Sequence, residues 1–264
     1  NKGDFSALAL SIGQAEKYRS LIQVPLIVKV DGHFLVGKDV PHDRHSNISS
    51  VNRAVEAGAN AIGCTFYFGG KETMRDTERI ATIIEESHAL NKPVFMWAYA
   101  RGPLPETMGA DSLFWCAQAI SAGESLGADV VKQKFPMPAK NRQAYVEALS
   151  RSADGKKGYF YAQMPFIDQL LELEPENPSD FTPDLHVKRL NLMAKVAPNT
   201  LKIISGGPLT SDNVGLLNTL KYVMESGNEG QIVGRNLWGR PIEEALALKD
   251  KMYSLMKQET YQRP

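Results

Sequence analysis

Short apolar segments alternate with amphipathic helical segments along the chain, and this alternation limits the possible folds more than any other feature of the sequence. The apolar segments are rich in branched and aromatic residues and end at glycine, proline or polar residues. We predict seven β-strands, at 6–12, 24–30, 60–68, 94–100, 128–135, 201–205 and 231–234. The main predicted helices span 14–21, 49–58, 71–90, 112–126, 185–196, 211–225 and 242–257, with Ser211 or Asp212 capping the sixth. Strands that alternate with helices in this way form a parallel sheet, which is either open or closed into a barrel.

Two observations favour the barrel. The G-x-G-x-x-G pattern of a dinucleotide-binding open sheet does not follow the first strand. The chain begins at Asn1 and enters its first strand within a few residues, so we expect one further βα unit upstream, which would bring seven units to eight. We therefore predict an α/β fold, a single (β/α)8 TIM-barrel domain over 1–264 that lacks its first unit. An elaborated connection at about 137–183 is too short to bury a core of its own.

Composition excludes several classes of function. The 264 residues carry 30 basic and 30 acidic side chains, and this balance gives no general case for binding nucleic acid or an anionic membrane. No apolar run approaches the ~20 residues of a membrane span, and we expect neither a membrane span nor a secretory signal. Cys64 and Cys116 lie far apart in apolar segments. They are predicted to be reduced core residues of a cytoplasmic protein, with a disulfide or metal site as the weaker alternative.

The fifth strand carries two lysines, Lys132 and Lys134, which alternation places on one face. An ammonium group taken out of water needs a partner or gives up its proton. One of two neighbouring lysines can therefore have a pKa lowered from ~10.4 toward ~7–8, where its amine is a nucleophile. The alternative is an exposed strand end at which both lysines form salt bridges, and the stretch alone does not separate the two interpretations.

Other polar groups follow the strands at the end where a barrel places its active site. The predicted set is Lys29, Asp31, His33, Thr65, Tyr67, Trp97, Tyr99, Arg101, Ser205, Gly206, Gly207, Gly234 and Arg235. The hydroxyl of Tyr99 would point into the same end of the barrel as Lys132, where it could act as a proton donor in catalysis. For Trp97, a place in the aromatic core is the simpler interpretation, and for Arg101 a surface charge is the alternative.

The ends of the sixth and seventh strands indicate an anion site. Ser205-Gly206-Gly207 and Gly234-Arg235 place glycines between a strand and a helix, where free backbone N–H groups and the helix dipole favour a phosphate. Arg235 adds a fixed positive fork. A single Gly-Gly pair is usually only a turn. Two such strand ends in consecutive units are more specific.

The remaining polar clusters have simpler interpretations. His42-Asp43-Arg44-His45 contains metal-ligand residue types, but a solvated turn is favoured over a metal site. His88 and His186 are predicted on helix faces, and the acidic stretch 172–176 on a solvated face. Asp31 and His33 are candidates for catalysis, for binding substrate hydroxyls or for capping, and the sequence does not separate these roles.

Five stretches together resemble the archaeal and bacterial-type class I fructose-bisphosphate aldolases, in the wider DhnA-like group that includes LsrF-like and aminodideoxyheptulosonate-synthase-like enzymes. The stretches are GCTFYFG (63–69), WAY (97–99), GADVVKQK (127–134), SGG (205–207) and GRN (234–236). The resemblance runs in one order from Ser6 to the last helix. WAY and VKQK are most similar to the bacterial fructose-bisphosphate aldolase branch.

The resemblance implies roles for individual residues. Lys132 matches the lysine that forms a Schiff base with a ketose, and Tyr99 the acid/base tyrosine. Trp97 matches a residue lining the site. Gly206, Gly207, Gly234 and Arg235 match one phosphate site, which Ser205 adjoins, and Arg101 a residue reaching the other phosphate. Lys134 is expected beside the substrate, lowering the pKa of Lys132 through its charge. The family's catalytic aspartate follows its first strand, so no residue here can be matched to it, and Asp31 is not assigned that role.

The expected activity is therefore class I fructose-bisphosphate aldolase, a lyase of glycolysis and gluconeogenesis that needs no metal or cofactor. Its expected partner is a phosphorylated sugar, without nucleic acid or membrane, and the resemblance implies a cytoplasmic homo-oligomer. Two alternatives stay open. One is another Schiff-base aldolase or a transaldolase-like enzyme using the same lysine, and the other is a non-catalytic phosphosugar-binding barrel.

Overall fold

The computed structural model describes residues 5–33, 45–150, 166–207 and 213–258. Along the chain, the strands are β1 (Leu8–Ser11), β2 (Leu26–Lys29), β3 (Asp31–Gly32), β4 (Ser46–Asn47), β5 (Ala61–Phe68), β6 (Val94–Ala100), β7 (Val130–Gln133), β8 (Leu201–Ser205) and β9 (Gly230–Ile232). Seven of them form one parallel sheet in the order β1-β2-β5-β6-β7-β8-β9. β3 and β4 form a separate antiparallel pair. The predicted seven-stranded parallel sheet is confirmed.

Helices separate the strands of this sheet. They are α1 (Ile12–Tyr18), α2 (Val51–Glu56), α3 (Thr73–Ala89), α4 (Pro103–Met108), α5 (Leu113–Leu126), α6 (Arg142–Leu149), α7 (Ile167–Glu172), α8 (Pro183–Lys195), α9 (Val214–Glu225), α10 (Arg235–Trp238) and α11 (Ile242–Gln258). Short 3-10 helices lie at Arg19–Leu21 and Pro178–Asp180. The last helix meets the segment that precedes the first strand of the sheet: the hydroxyl of Ser6, before β1, lies 3.3 Å from that of Tyr253 in α11.

Local sequence explains where several helices begin and end. The side chain of Ser50 accepts a hydrogen bond from the amide of Arg53 and caps α2. Thr182 caps α8 in the same way, and Pro183 follows at the first helical position, where no N–H donor is needed. Gly127 ends α5 in the left-handed conformation, with φ 89°, and turns the chain into β7.

The structure differs from the predicted elements in three places. The segment after β6, for which no helix was predicted, forms α4, because Pro103 occupies a first-turn position where a helix tolerates proline. The polar segment before α2 contributes β4, which pairs with β3. β7 is shorter than the predicted strand and ends at Gln133, so Lys134 lies just beyond it. The predicted caps Ser211 and Asp212 lie outside the described residues, and α9 follows Asn213.

The acidic stretch 172–176 does not form a wholly solvated face, because Glu174 is buried. Its carboxylate accepts a hydrogen bond from the amide of Ala139 (2.7 Å) and pairs with Arg189 of α8 (2.7 Å). Arg189 is fully buried and also donates to the carbonyl oxygens of Leu173 and Met137. The elaborated connection is therefore tied to the barrel by an internal ion pair.

α5 packs against the sheet at very short range through Gly123. A Cβ atom at this position would lie 2.2 Å from Cγ2 of Val131 and 2.8 Å from Cε of Met96. Both neighbours are fully buried side chains of the sheet. The helix can lie this close to β6 and β7 only because residue 123 has no side chain.

We expect Gly123→Ala to lower the free energy of unfolding by about 1–3 kcal/mol, because overpacking outweighs the better helix propensity of alanine. The measurement is urea unfolding monitored by circular dichroism. Gly215→Ala in α9 is the matched control, since a Cβ there meets nothing within 4 Å. This control is expected to be neutral or slightly stabilising. Equal stability of the two variants would contradict the packing argument.

Candidate active site

The candidate site lies at the carboxyl ends of β5, β6 and β7, where strand register brings separate sequence stretches together. Trp97 is paired in register with Thr65 on one side and with Lys132 on the other. Tyr99 is paired with Tyr67. Along β6 the alternate residues Met96, Ala98 and Ala100 are buried, whereas Trp97 and Tyr99 are partly exposed. The predicted side chains therefore point to the face of the sheet that does not carry the main core.

Lys132 is the central side chain of this face. Only 9% of its surface is exposed, and its Nζ atom donates a hydrogen bond to the hydroxyl of Tyr99. Burial lowers the pKa of the Lys132 ammonium to about 7, and the positive charges of Lys134, Lys29 and Arg235 act in the same direction. Asp111 opposes the shift. Near neutral pH a large fraction of the amine is therefore unprotonated, the form that attacks a carbonyl carbon.

The pKa of Tyr99 is shifted in the opposite direction to that of Lys132. Burial raises the pKa of its phenol, and Tyr67 adds to the rise, while the nearby guanidinium of Arg101 opposes it. Tyr99 is therefore a protonated phenol in contact with an amine that is about half neutral at pH 7 and increasingly neutral above it. This pair can pass a proton to and from a group bound at Lys132.

The two lysines of the KQK motif have different environments. Lys134 is about one-third exposed, and its Nζ atom lies 2.7 and 2.8 Å from the two carboxylate oxygens of Asp111. It also lies over the ring of Tyr99 at 5.7 Å. Lys134 thus forms the salt bridge that the sequence left open for both lysines, whereas Lys132 is buried and bonded to a phenol.

A set of charged groups on β2, β3 and α3 surrounds the other side of the site. The Nζ atom of Lys29 donates to Oγ1 of Thr65 (2.8 Å) and lies 5.0 Å from the centre of the Trp97 ring. Asp31 accepts hydrogen bonds from the amide of Thr65 (2.5 Å) and from Arg79 (3.1 Å). Trp97 is accordingly a partly exposed wall of the site beneath a lysine.

Arg79 was not identified from the sequence. It reaches Asp31, the carbonyl oxygen of Thr65 and Asp76, so it joins α3 to the strands. The spacing of Asp76 and Arg79, three residues apart beside the buried Ile80, is the sequence signal that points to an inward-facing ion pair. Nothing in the sequence connects that pair to Asp31.

The two glycine-containing turns, Ser205-Gly206-Gly207 and Gly234-Arg235, lie side by side at the ends of β8 and β9. The amide of Gly206 donates to the carbonyl oxygen of Ile232 (2.9 Å), and Nδ2 of Asn236 donates to the carbonyl oxygen of Gly206 (3.0 Å). The expected free N–H group at Gly206 is therefore used within the protein. Gly207 is exposed with φ 72°, and its amide has no hydrogen-bond partner among the described residues.

Arg235 and Arg101 provide positive charge at two separate places. Arg235 is exposed at the start of α10, near enough to Lys132 to lower its pKa. The guanidinium of Arg101 lies over the rings of Tyr67 (5.1 Å) and Tyr99 (5.6 Å). Neither arginine has an acidic partner in the part of the chain that the structure describes. Two uncompensated guanidinium groups on either side of Lys132 suit a substrate with two anionic ends.

The remaining predicted residues lie outside this group or outside the described ranges. Cys64 and Cys116 are free thiols with no exposed surface, as predicted for reduced core residues. His88 lies 2.9 Å from Asp129, and His186 packs among aromatic rings. His42, Asp43 and Arg44 are not described. Within the described ranges, no three histidine, cysteine or acidic side chains are grouped to hold a metal ion. No helix among them has the length and apolar character to cross a membrane.

Comparison with known proteins defines the class. A sequence model of the DeoC/LacD family of aldolases matches residues 2–240. The chain therefore belongs to this family of aldolases.

Several curated proteins are similar to this chain over most of its length. The class 1 fructose-bisphosphate aldolases of Thermoproteus tenax and Halobacterium salinarum are each 27% identical, over 251 and 258 residues, and the chain covers 75% and 76% of their lengths. A Chlamydia muridarum relative is 26% identical over 255 residues, and the chain spans only 65% of its length. These matches cover 94%, 96% and 92% of this chain.

Solved structures confirm the fold. A crystal structure of an archaeal fructose 1,6-bisphosphate aldolase is 25% identical with a TM-score of 0.71, over 96% of this chain and 79% of that one. A second archaeal structure, with its catalytic lysine bound to a carbinolamine intermediate, has a TM-score of 0.71 at 24% identity and covers 96% of this chain and 78% of that one. The predicted TIM-barrel architecture is therefore confirmed.

Proposed function

We propose that this chain is a class I aldolase that cleaves fructose 1,6-bisphosphate reversibly through a Schiff base on Lys132. The observation that carries the proposal is a buried lysine with a pKa of about 7 whose amine contacts a tyrosine hydroxyl. The names of the Thermoproteus tenax and Halobacterium salinarum relatives support the substrate. We also propose a role in glycolysis and gluconeogenesis, as a cytoplasmic homo-oligomer, in line with the family resemblance of the sequence.

The geometry supports the following sequence of steps. The neutral amine of Lys132 attacks the C2 ketone, and loss of water gives an iminium ion. The C4 hydroxyl then loses its proton, the C3–C4 bond breaks, and glyceraldehyde 3-phosphate leaves. The bond electrons move toward the iminium nitrogen and form an enamine. Tyr99 returns a proton to C3, and hydrolysis releases dihydroxyacetone phosphate and Lys132.

The substrate is proposed to lie between the two positive regions of the site. One phosphate binds at Ser205, Gly206, Gly207, Gly234 and Arg235, where the exposed Gly207 amide and the Arg235 guanidinium are the available donors. The other phosphate meets Arg101, and Trp97 lines the wall between them. Lys134 and its partner Asp111 adjust the charge around Lys132 without competing for the carbonyl carbon.

Reduction of the trapped imine tests the proposal. Incubation with dihydroxyacetone phosphate and borohydride is expected to add one reduced adduct, located on Lys132 by peptide mass analysis. Lys132→Met should show no adduct, and Lys29→Met, which removes a neighbouring lysine, should keep it. An adduct on another lysine, or none on the wild-type protein, would overturn the assignment.

A second substrate remains a candidate because of one relative. A 2-amino-3,7-dideoxy-D-threo-hept-6-ulosonate synthase of Halobacterium salinarum is 28% identical over 125 residues, 47% of this chain. The same Lys132 would serve a different ketose and acceptor. Measuring fructose 1,6-bisphosphate cleavage beside transfer to other aldehyde acceptors separates the two, since higher kcat/KM for transfer would favour the second candidate.

The charges beside Lys132 predict the pH dependence of imine formation. Lys134 lowers the pKa of Lys132 and Asp111 raises it. Because the reactive amine is the form above its pKa, Lys134→Gln should move the acid limb of the pH profile to higher pH. Asp111→Asn should move it to lower pH. The measurement is the rate of borohydride-trapped adduct formation between pH 5 and 9, and shifts of the same sign in both variants would contradict this account.

A further inference from the structure

A row of three side chains leads away from the lysine site and is not used by the steps above. Asp31 begins the row, His45 lies between, and Tyr67 ends it beside Tyr99. Nε2 of His45 lies 3.3 Å from the hydroxyl of Tyr67, and Nδ1 of His45 lies 3.6 Å from Oδ1 of Asp31. Asp31 belongs to β3, His45 directly precedes β4 and Tyr67 belongs to β5, so only the fold brings the three residues together.

The hydrogen-bond needs of the row indicate where its protons lie. Nδ1 of His45 and Oδ1 of Asp31 are both buried, and neither has a hydrogen-bond partner among the described residues, although Nζ of Lys29 lies 3.4 Å from the same Oδ1 atom as an ion pair. The two atoms face each other, so a proton on Nδ1 directed at the carboxylate is the arrangement that best satisfies both. Nε2 is then the acceptor, and the Tyr67 hydroxyl donates to it. An imidazole held by a carboxylate on one side can accept a proton from a hydroxyl on the other.

The charges around the row favour this direction of transfer. Burial would raise the pKa of Asp31, but the contact with His45 and the positive charges of Lys29 and Arg79 hold it below its ordinary value. Asp31 is therefore an anion that stabilises a positive imidazolium. Burial raises the pKa of Tyr67, although Arg101 opposes the rise, so its phenol stays protonated until a base removes the proton.

The far end of the row reaches the space where a substrate bound to Lys132 would extend. Tyr67 and Tyr99 are register partners on neighbouring strands, with ring centres 6.2 Å apart, and Arg101 lies over both rings. Tyr99 contacts the reacting amine directly. Tyr67 is one strand further from β7 than Tyr99, and this position suits the hydroxyl on C4, the carbon two bonds beyond the imine carbon.

A cavity gives the other end of the row a path to water. The cavity has a volume of about 300 Å³, and His45, Asn47, Asp76 and Arg79 are among its lining residues. Its polar lining and size accommodate water molecules. A proton received by His45 can therefore leave without passing back through the substrate pocket.

We propose that Tyr67, backed by His45 and Asp31, is a second proton-transfer group that takes the proton of the substrate's C4 hydroxyl. The inference rests on the proposed aldolase function. It assigns the two proton transfers of the cleavage to two different tyrosines. As the C3–C4 bond breaks, the C4 proton moves to Tyr67, the Tyr67 proton moves to His45, and the bond electrons enter the enamine. Tyr99 delivers a separate proton to C3. One proton leaves through His45 and one enters through Tyr99, so the cleavage is balanced.

The experiment separates reactions that need C4 from one that does not. Exchange of a C3 hydrogen of dihydroxyacetone phosphate with deuterium oxide uses Lys132 and Tyr99 but involves no C4 atom, and is followed by nuclear magnetic resonance. For Tyr67→Phe we expect cleavage of fructose 1,6-bisphosphate to fall by about 10²–10⁴, the range of general acid–base catalysis. The exchange rate and the borohydride adduct should stay within about threefold of wild type. Tyr253→Phe, on α11, is the matched control and should leave both reactions unchanged.

A second variant tests whether His45 acts through its proton rather than through packing. His45→Ala should show the same split between cleavage and exchange, and added imidazole, for which the cavity has room, should restore part of the cleavage rate. Circular dichroism checks that both variants fold. Equal loss of cleavage and exchange, or unchanged cleavage, would overturn the role of the row. Wild-type protein without exchange or adduct would overturn the proposed function, and the inference with it.

Discussion

Lys132→Met is expected to end Schiff-base formation and at the same time to stabilise the fold near neutral pH. The first effect follows because methionine has no nucleophilic amine. The second follows because the buried Lys132 ammonium has a pKa of about 7, against about 10.5 for an ordinary lysine. This difference corresponds to about 5 kcal/mol against folding when both states are charged. The variant also loses the hydrogen bond to Tyr99, and this loss offsets about 1–3 kcal/mol of the stabilisation.

The sign of the pH dependence follows from proton binding. Between about pH 7 and 10.5 the unfolded lysine binds a proton that the folded one does not, so the wild-type protein gains stability as pH rises. The advantage of Lys132→Met should therefore be largest at or below pH 7 and should disappear toward pH 10.5. Urea unfolding at several pH values measures it. Lys221→Met, at a half-exposed position, is the control and should show no such trend. A difference independent of pH would contradict a buried, neutralised amine.

Arg189→Met is expected to lower the free energy of unfolding by about 3–5 kcal/mol, the cost of leaving a buried charge without its partner. The substitution leaves the Glu174 carboxylate, with a side chain only 2% exposed, facing an apolar group. It also removes the donors to the carbonyl oxygens of Leu173 and Met137. The measurement is urea unfolding with the double variant Arg189→Met/Glu174→Leu included.

The neighbouring residue on α8 supplies the control. Lys188 forms an exposed ion pair with Asp184 at 2.8 Å, with side chains 62% and 75% exposed. Lys188→Met should change stability by no more than about 0.5 kcal/mol, as exposed pairs do. The double variant should recover part of the loss, because it removes both buried charges. Similar values for Arg189→Met and Lys188→Met would mean that the buried pair does not hold the elaborated connection.

The strands that were predicted most closely are those with a local pattern strong enough to act alone. Val94–Ala100 and Leu201–Ser205 were predicted with their observed bounds, and Ala61–Phe68 within one residue. Each has branched or aromatic side chains between glycine, proline or polar residues. β7 was predicted too long, because the alternation of polar and apolar side chains continues through Lys134 and Phe135 after the pairing with β8 has ended at Gln133. Where pairing ends depends on the neighbouring strand, so it cannot be predicted from the sequence of one segment.

The two lysines of one motif show the limit of the sequence at the site. Alternation predicted a shared face, and two interpretations, a buried nucleophile and an exposed salt bridge, were left open for both. The structure assigns a different environment to each: Lys132 is 9% exposed and bonded to Tyr99, whereas Lys134 reaches Asp111, 23 residues earlier in the chain. The choice depended on where β7 stops, which its neighbours determine.

By itself the sequence determined the βα alternation, the parallel sheet and the set of polar residues at its carboxyl edge, because periodicity and helix caps are local properties of the chain. The tertiary structure alone decided which side chains meet: Tyr99 with Lys132, Arg189 with Glu174, and Asp31 with His45 and Tyr67. These contacts depend on strand register and on the curl of the sheet. Charge and burial at such contacts set the pKa of each group, so the chemistry of the site is a property of the folded barrel.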